Sequence, residues 1–141
     1  MKIGIANDHH GIELKRKIMD YLDKHHIDYV NYGCDVRDNV DYVDYAIELC
    51  KNIQEKKVDL GILICGTGIG MSIVANKMKG IIAARVVSAE DARLCREHNM
   101  ANVMTLAEKT EDLENILDKF INTLPSTEER HKRRVEKILN L

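Results

Sequence analysis

The run LGILI at 60–64 constrains this chain more than any other stretch, because it is apolar at every position and is followed at once by a cysteine and three closely spaced glycines. A segment with no polar side to turn to water reads as a strand covered by other elements on both faces. Such a strand belongs in a parallel sheet flanked by helices, and the rest of the 141 residues supplies the partners. KIGIA at 2–6 and IDYVNY at 27–32 read as strands before it, and IIAARVV at 81–87 and NVMTL at 102–106 as strands after it. Between them the apolar residues recur at helical spacing. Ile12, Leu14, Ile18, Met19 and Leu22 mark a first helix, and Val43, Ala46, Ile47, Leu49, Cys50 and Ile53 a second over 41–53. Further helices are expected over 71–78, 89–98 and 112–124, with a basic helix over 127–139 closing the chain. The alternation predicts βαβ units wound right-handed into a three-layer α/β/α sandwich with a five-stranded parallel, Rossmann-like sheet. No repeat or linker interrupts the pattern, so residues 1–141 read as a single domain.

Charge and composition then narrow the function. Twenty-one Lys and Arg against 23 Asp and Glu leave a net charge of −2, without the basic excess that binding to nucleic acid or to an anionic membrane requires. Five Tyr, one Phe and no Trp offer no base-stacking surface. The opening MKIGIANDHHG meets Asp and His too early for a signal peptide, and no stretch is long and apolar enough for a transmembrane helix. A cytoplasmic protein is therefore expected. Cysteines at 34, 50, 65 and 95 form no CxxC pair and are expected as reduced thiols.

Open parallel sheets bind ligands beyond the carboxyl ends of their strands. Two segments qualify: Asn7-Asp8-His9-His10 after the first strand, and Cys65-Gly66-Thr67-Gly68-Ile69-Gly70 after the third. Glycines at 66, 68 and 70 permit positive φ and let backbone N–H groups converge on an anion at a helix N-terminus. The segment is not a Walker loop, lacks the dinucleotide-binding spacing, and has Met71 where a Cys-x5-Arg phosphatase needs arginine. A tight turn around a buried cysteine is the plainer alternative, and the three glycines weigh against it. Cys65, beside helix-terminal amides, is placed to serve as a nucleophile or a general base. Cys34, Cys50 and Cys95 read as packing residues, and His25 and His26 as a solvated helix end. His9 and His10 sit at a strand tip where they can meet a ligand, and His98 closes a helix. The histidines show no metal-ligand spacing, so no metal is expected. Arg130 and Arg134, one turn apart on the last helix, are either a solvated basic end or a clamp for phosphate oxygens.

MKIGIANDHHG, VDYVDYA, GILICGTGIGMSIVANK, RLCREHN, ANV and RHKRRV, in that order and nearly end to end, resemble the ribose-5-phosphate isomerase B type of sugar-phosphate isomerase. The group also includes galactose-6-phosphate and allose-6-phosphate isomerases. The resemblance implies an aldose–ketose isomerase of the pentose phosphate pathway that works through a cis-enediolate without metal or cofactor. Its catalytic set maps onto Cys65 as the base, with Thr67 and His98 helping to open the furanose ring. Asp8 maps onto a contact with the sugar hydroxyls, and the amides of Gly66, Gly68, Ile69 and Gly70 onto donors to the enediolate oxygen, worth about 3 kcal/mol each. His9, Arg130 and Arg134 match phosphate contacts, Lys109 stands where a further one is often arginine, and Tyr42 and Asn99 match pocket residues. The resemblance further implies a homodimer or homotetramer with active sites shared between subunits and the C-terminal helix at the interface. The chain departs from the family pattern at His10, an extra imidazole in the DH segment, at Val43 in place of proline, at Ile82 in place of arginine, at Lys109, and at Glu128-Glu129 in place of two glycines. These departures leave the same chemistry on a six-carbon sugar phosphate as one alternative, and a non-catalytic sugar-phosphate-binding module as another.

Overall fold

The computed structural model describes residues 1–141. Five strands, β1 (Lys2–Asn7), β2 (Asp28–Asn31), β3 (Leu60–Cys65), β4 (Ala83–Arg85) and β5 (Val103–Ala107), form one sheet in the order β2-β1-β3-β5-β4. Every pairing is parallel. Six helices connect and flank them: α1 (Ile12–Lys24), α2 (Tyr42–Gln54), α3 (Ile69–Asn76), α4 (Ala89–Glu97), α5 (Leu113–Asn122) and α6 (Glu129–Leu139). The three-layer α/β/α architecture expected from the alternation is what forms.

β3 lies at the centre and is buried along its whole length. Its side chains alternate between two cores. Ile62 and Ile64 pack with Leu14, Ile18 and Leu22 of α1, Ala92 of α4 and Phe120 of α5. Leu63 and Cys65 pack on the opposite face with Ala46 and Leu49 of α2 and Met71 and Ala75 of α3. Ile62, Leu63 and Ile64 are fully buried, and each such side chain contributes about 1.5–3 kcal/mol by leaving water. The period-two alternation carries Cys65 toward the α2–α3 side at the strand's carboxyl end.

Some boundaries differ from the expectation. The strand read over 81–87 shortens to Ala83–Arg85, because side chains take the neighbouring backbone groups. Asn102 Oδ1 accepts the Ile82 N–H at 2.9 Å, and Asn76 accepts from and donates to Ala83 at 2.8 and 2.9 Å. Those two Asn76 bonds occupy the backbone of an edge strand that would otherwise be open to pairing. The helix read from Met71 begins at Ile69, since Gly68 adopts a left-handed conformation (φ 77°) as its N-cap. α6 buries only His131 and Val135 and turns Ile138 and Leu139 outward.

Candidate active site

The strand order fixes where a ligand can sit. β1 and β3 are neighbours, while the chain leaves β1 toward β2 and leaves β3 toward the other edge of the sheet. That divergence opens a crevice at their carboxyl ends. Asp8 follows β1 there, and its N–H donates to Ile64 O at 3.1 Å, locking the two strand ends together. Asn7, fully buried, donates to Asp8 O and Cys34 O at 2.8 and 3.0 Å. The strand tips are therefore rigid before any catalytic group is considered.

Asp8, His10, Tyr42, Cys65, Gly66, Thr67, Ile69, Gly70 and Ile73 line a cleft of about 430 Å³ at this crevice. A larger hollow near α1 and α5, about 510 Å³, is lined mainly by charged and polar side chains such as Lys17, Asp20 and Asp112 and contains no thiol, imidazole or glycine turn. The candidate thiol, imidazole and glycine turn lie in the smaller cleft. Cys65 Sγ accepts the Gly68 N–H at 3.1 Å, and the Ile69 N–H is taken by Thr67 Oγ1 at 3.1 Å. Two residues that sequence reading did not single out hold this turn. Thr105 of β5 donates its hydroxyl to Gly68 O at 2.8 Å, and Arg85 of β4 donates from Nε to Thr67 O at 2.9 Å. Each was visible only as a polar residue in an otherwise apolar strand.

The three glycines were expected to share one backbone role, and only Gly68 has positive φ. Gly70 is required by close approach, because a Cβ there would lie 2.6 Å from Tyr42 Cζ. Gly66 faces the His10 ring at 3.8 Å from the equivalent point and is not crowded.

At the other strand tip, Asp8 caps the short turn His9–Gly11. Its Oδ1 accepts the His10 N–H at 2.9 Å and its Oδ2 lies 3.5 Å from His10 Nδ1. The Val40 N–H donates to His9 Nδ1 at 3.3 Å, and the two imidazoles lie 4.1 Å apart, centroid to centroid. Ligand atoms of Asp8, His9 and His10 thus fall within 4.8 Å of one another, the one group of this kind in the chain. Asp8 Oδ1 and His9 Nδ1 each accept a backbone N–H, and Asp8 Oδ2 faces His10 Nδ1, so the trio is an organised polar tip. The loop behind it is held by Lys15, which is fully buried and donates to Cys34 O and Asp35 Oδ1 at 2.6 Å each. That ammonium holds the Asp35 carboxyl below its usual range.

The remaining candidates gather elsewhere. His98, the C-cap of α4, stacks on His131 of α6 with ring centroids 4.3 Å apart and planes 6° from parallel. Burial, reinforced by His98 and Arg130, lowers the His131 pKa below its usual value. Arg130 and Arg134 are exposed on the same helix, Asn99 is exposed beside His98, and Lys109 is exposed beyond β5. None of His98, Asn99, Lys109, Arg130 or Arg134 lines the Cys65 cleft of its own chain. The other thiols behave as packing residues. Burial pushes Cys50 up to about 12 and Cys95 up to about 11, and raises Cys34 as well.

Comparison with known proteins finds the same fold in solved structures. The family model described as Ribose/Galactose Isomerase matches residues 3–138. The ribose 5-phosphate isomerase of Thermotoga maritima superposes with a TM-score of 0.93 at 42% identity, over 99% of this chain and 98% of that one. Ribose-5-phosphate isomerase B of Clostridium thermocellum gives 0.94 at 40%, over 99% and 96%. The Mycoplasma genitalium enzyme, solved with bound ribulose-5-phosphate, gives 0.91 at 40%, over 99% and 94%. No helix of the present chain is long and apolar enough to cross a membrane.

Proposed function

The chain belongs to the ribose/galactose isomerase family, and from that membership we propose that it interconverts ribose 5-phosphate and ribulose 5-phosphate through a cis-enediolate, with Cys65 as the base and no metal. The observation that carries the reading is the Cys65 thiol at the β1–β3 crevice, its sulfur accepting the Gly68 N–H at 3.1 Å. Moving a proton between the two carbons of an aldose–ketose pair needs one base that can hold it and return it. It also needs donors where the oxygen becomes negative; Cys65 Sγ and Thr67 Oγ1 already take the Gly68 and Ile69 N–H groups, which leaves the Gly66 and Gly70 amides of the turn for that role. Thr67 and Asp8 line the same cleft and are within reach of sugar hydroxyls. His9, with Nδ1 accepting from Val40, carries its remaining proton on Nε2 and presents a donor for phosphate.

A phosphate clamp and His98 are missing from the cleft of one chain, and its rim exposes Ile69 and Ile73. Both facts support a homodimeric unit in which a second copy covers the rim and brings His98, Asn99, Arg130 and Arg134 to Cys65, with α6 at the interface. Lys109 offers charge there without the bidentate geometry of arginine.

Purified protein assayed with ribose 5-phosphate and allose 6-phosphate side by side is expected to turn over the pentose preferentially. Cys65→Ala should lower kcat by at least about 100-fold while ligand binding, read by calorimetry, persists. Turnover retained in Cys65→Ala would remove the thiol from the mechanism, and preference for the hexose phosphate would move the substrate assignment.

A further inference from the structure

Asp8 is a carboxylate that has left water without gaining a permanent cation. Its side chain is 6% exposed, and its one ion-pair partner is the His10 imidazole. A charge buried in this way is costly unless an opposite charge comes to it. Asp8 Oδ2 lies 3.5 Å from His10 Nδ1, beyond the distance of about 2.7–3.2 Å that a good hydrogen bond keeps. Two atoms that share one tetrahedral ion at about 2.1 Å stand about 3.4 Å apart. The spacing suits joint ligation better than it suits a hydrogen bond.

We propose that Asp8, His9 and His10 form a site for a divalent transition-metal ion such as zinc, and that the bound ion closes the cleft to substrate. One ligand atom from each residue lies within 4.8 Å of the other two. Atoms bound to one ion at about 2.1 Å are at most about 4.2 Å apart, so the widest pair has to close by about 0.6 Å. Two imidazoles and a carboxylate suit Zn2+, Co2+ or Ni2+, whereas Mg2+ and Ca2+ ask for oxygen ligands. His10 offers Nδ1 beside Asp8 Oδ2, and His9 exchanges a long bond, 3.3 Å from the Val40 N–H, for the ion. The backbone beneath them is already fixed, since Asp8 Oδ1 takes the His10 N–H at 2.9 Å and the Asp8 N–H is tied to Ile64 O. Adjacent histidines have no ligand spacing along the chain; the short turn His9–Gly11, capped by Asp8, is what brings both rings to the carboxylate. His98 and His131 make no equivalent site, because their rings stack 6° from parallel and their lone pairs lie in the ring planes. His10 is the imidazole that the family pattern lacks, so the site is this chain's own. The isomerase reading uses no metal, and the ion takes no part in that chemistry. It occupies Asp8 and His10, which line the Cys65 cleft, and so excludes a sugar phosphate.

Zinc binding reads the site whether or not the chain is an isomerase. Protein stripped with EDTA and kept reduced should bind one Zn2+ per chain in calorimetry, with a Kd below about 100 µM. His10→Ala and His10→Gln should each weaken that binding at least about tenfold, as loss of one ligand of three demands. The His10 side chain is 48% exposed, so neither variant opens a core cavity, and both should melt as the unsubstituted chain does. Cys65→Ala and the double variant His25→Ala, His26→Ala should bind zinc as the unsubstituted chain does. Binding weaker than the stated limit, or a smaller loss in the His10 variants, would overturn the proposal. A tenfold loss in Cys65→Ala or in the double variant would also overturn it, moving the ion to the thiol or to the end of α1. Saturating zinc should stop conversion of ribose 5-phosphate, and EDTA should restore it; conversion by the zinc-loaded chain would overturn the closure. A stripped chain that converts nothing defeats the isomerase reading alone, and the calorimetry still decides the site.

Discussion

Three glycines after Cys65 look alike in the sequence and do different things in the fold. Gly68 sits at φ 77°, and a Cβ there would lie 3.0 Å from the Leu106 carbonyl carbon, which is backbone and cannot swing aside. An L side chain at such an angle costs about 1–2 kcal/mol before that contact is counted. Gly66 has neither problem. Gly68→Ala should therefore lower the unfolding free energy by about 1–3 kcal/mol in urea titration, and Gly66→Ala by less than about 1 kcal/mol. Equal losses would mean that the turn tolerates a left-handed side chain. Sequence alone could show that the chain must bend sharply after the thiol. It could not show which glycine bends and which makes room for Tyr42, because the second demand comes from a residue nearly thirty positions away.

At the scale of elements, periodicity located every strand and helix, and β3 in particular, whose five consecutive apolar residues admit no exposed face. The order β2-β1-β3-β5-β4 was not readable, since strand neighbours are chosen by long-range pairing and not by local pattern. Helix α6 shows the same division. Its basic opening was plain, but the burial of His131 under His98 was not, because the two rings are brought together from separate helices. Burial there makes a testable demand. His131 has its pKa lowered in the folded chain, so the unfolded chain binds the proton more readily below about 6.5. Stability then rises with pH through the interval below that value and is lost as pH falls toward the folded pKa. The groups that set this are His98, Arg130 and Arg134, which disfavour the imidazolium, and Glu128, which favours it. Thermal unfolding followed from pH 7 to 5.5 should show a drop in Tm that shrinks in His131→Asn. An identical drop in the variant would mean that other groups carry the acid sensitivity.

For the molecule as a whole, the residues carried over from the family divide into two sets within one chain. Cys65, Thr67, Asp8 and Tyr42 line one cleft, while His98, Asn99, Arg130 and Arg134 stand outside it. A linear sequence cannot say which copy a side chain serves, so the clamp that reads as part of one site can be supplied by another subunit. If it is, two differently damaged chains repair each other. Cys65→Ala retains its arginines, and Arg134→Ala retains its thiol, so a heterodimer of the two has one intact site and one doubly damaged one. Random mixing of equal amounts makes half the dimers mixed, each with one working site of two, or roughly a quarter of full activity from variants that are each nearly inactive. The check is to unfold and refold the two together, confirm mixed dimers by mass spectrometry, and assay isomerisation. Recovery near that fraction requires a site shared between subunits. Activity no greater than the mean of the separate variants would place Arg134 and Cys65 in the same chain's site, or Arg134 in none, and the exposed Ile69 and Ile73 would then need a different cover.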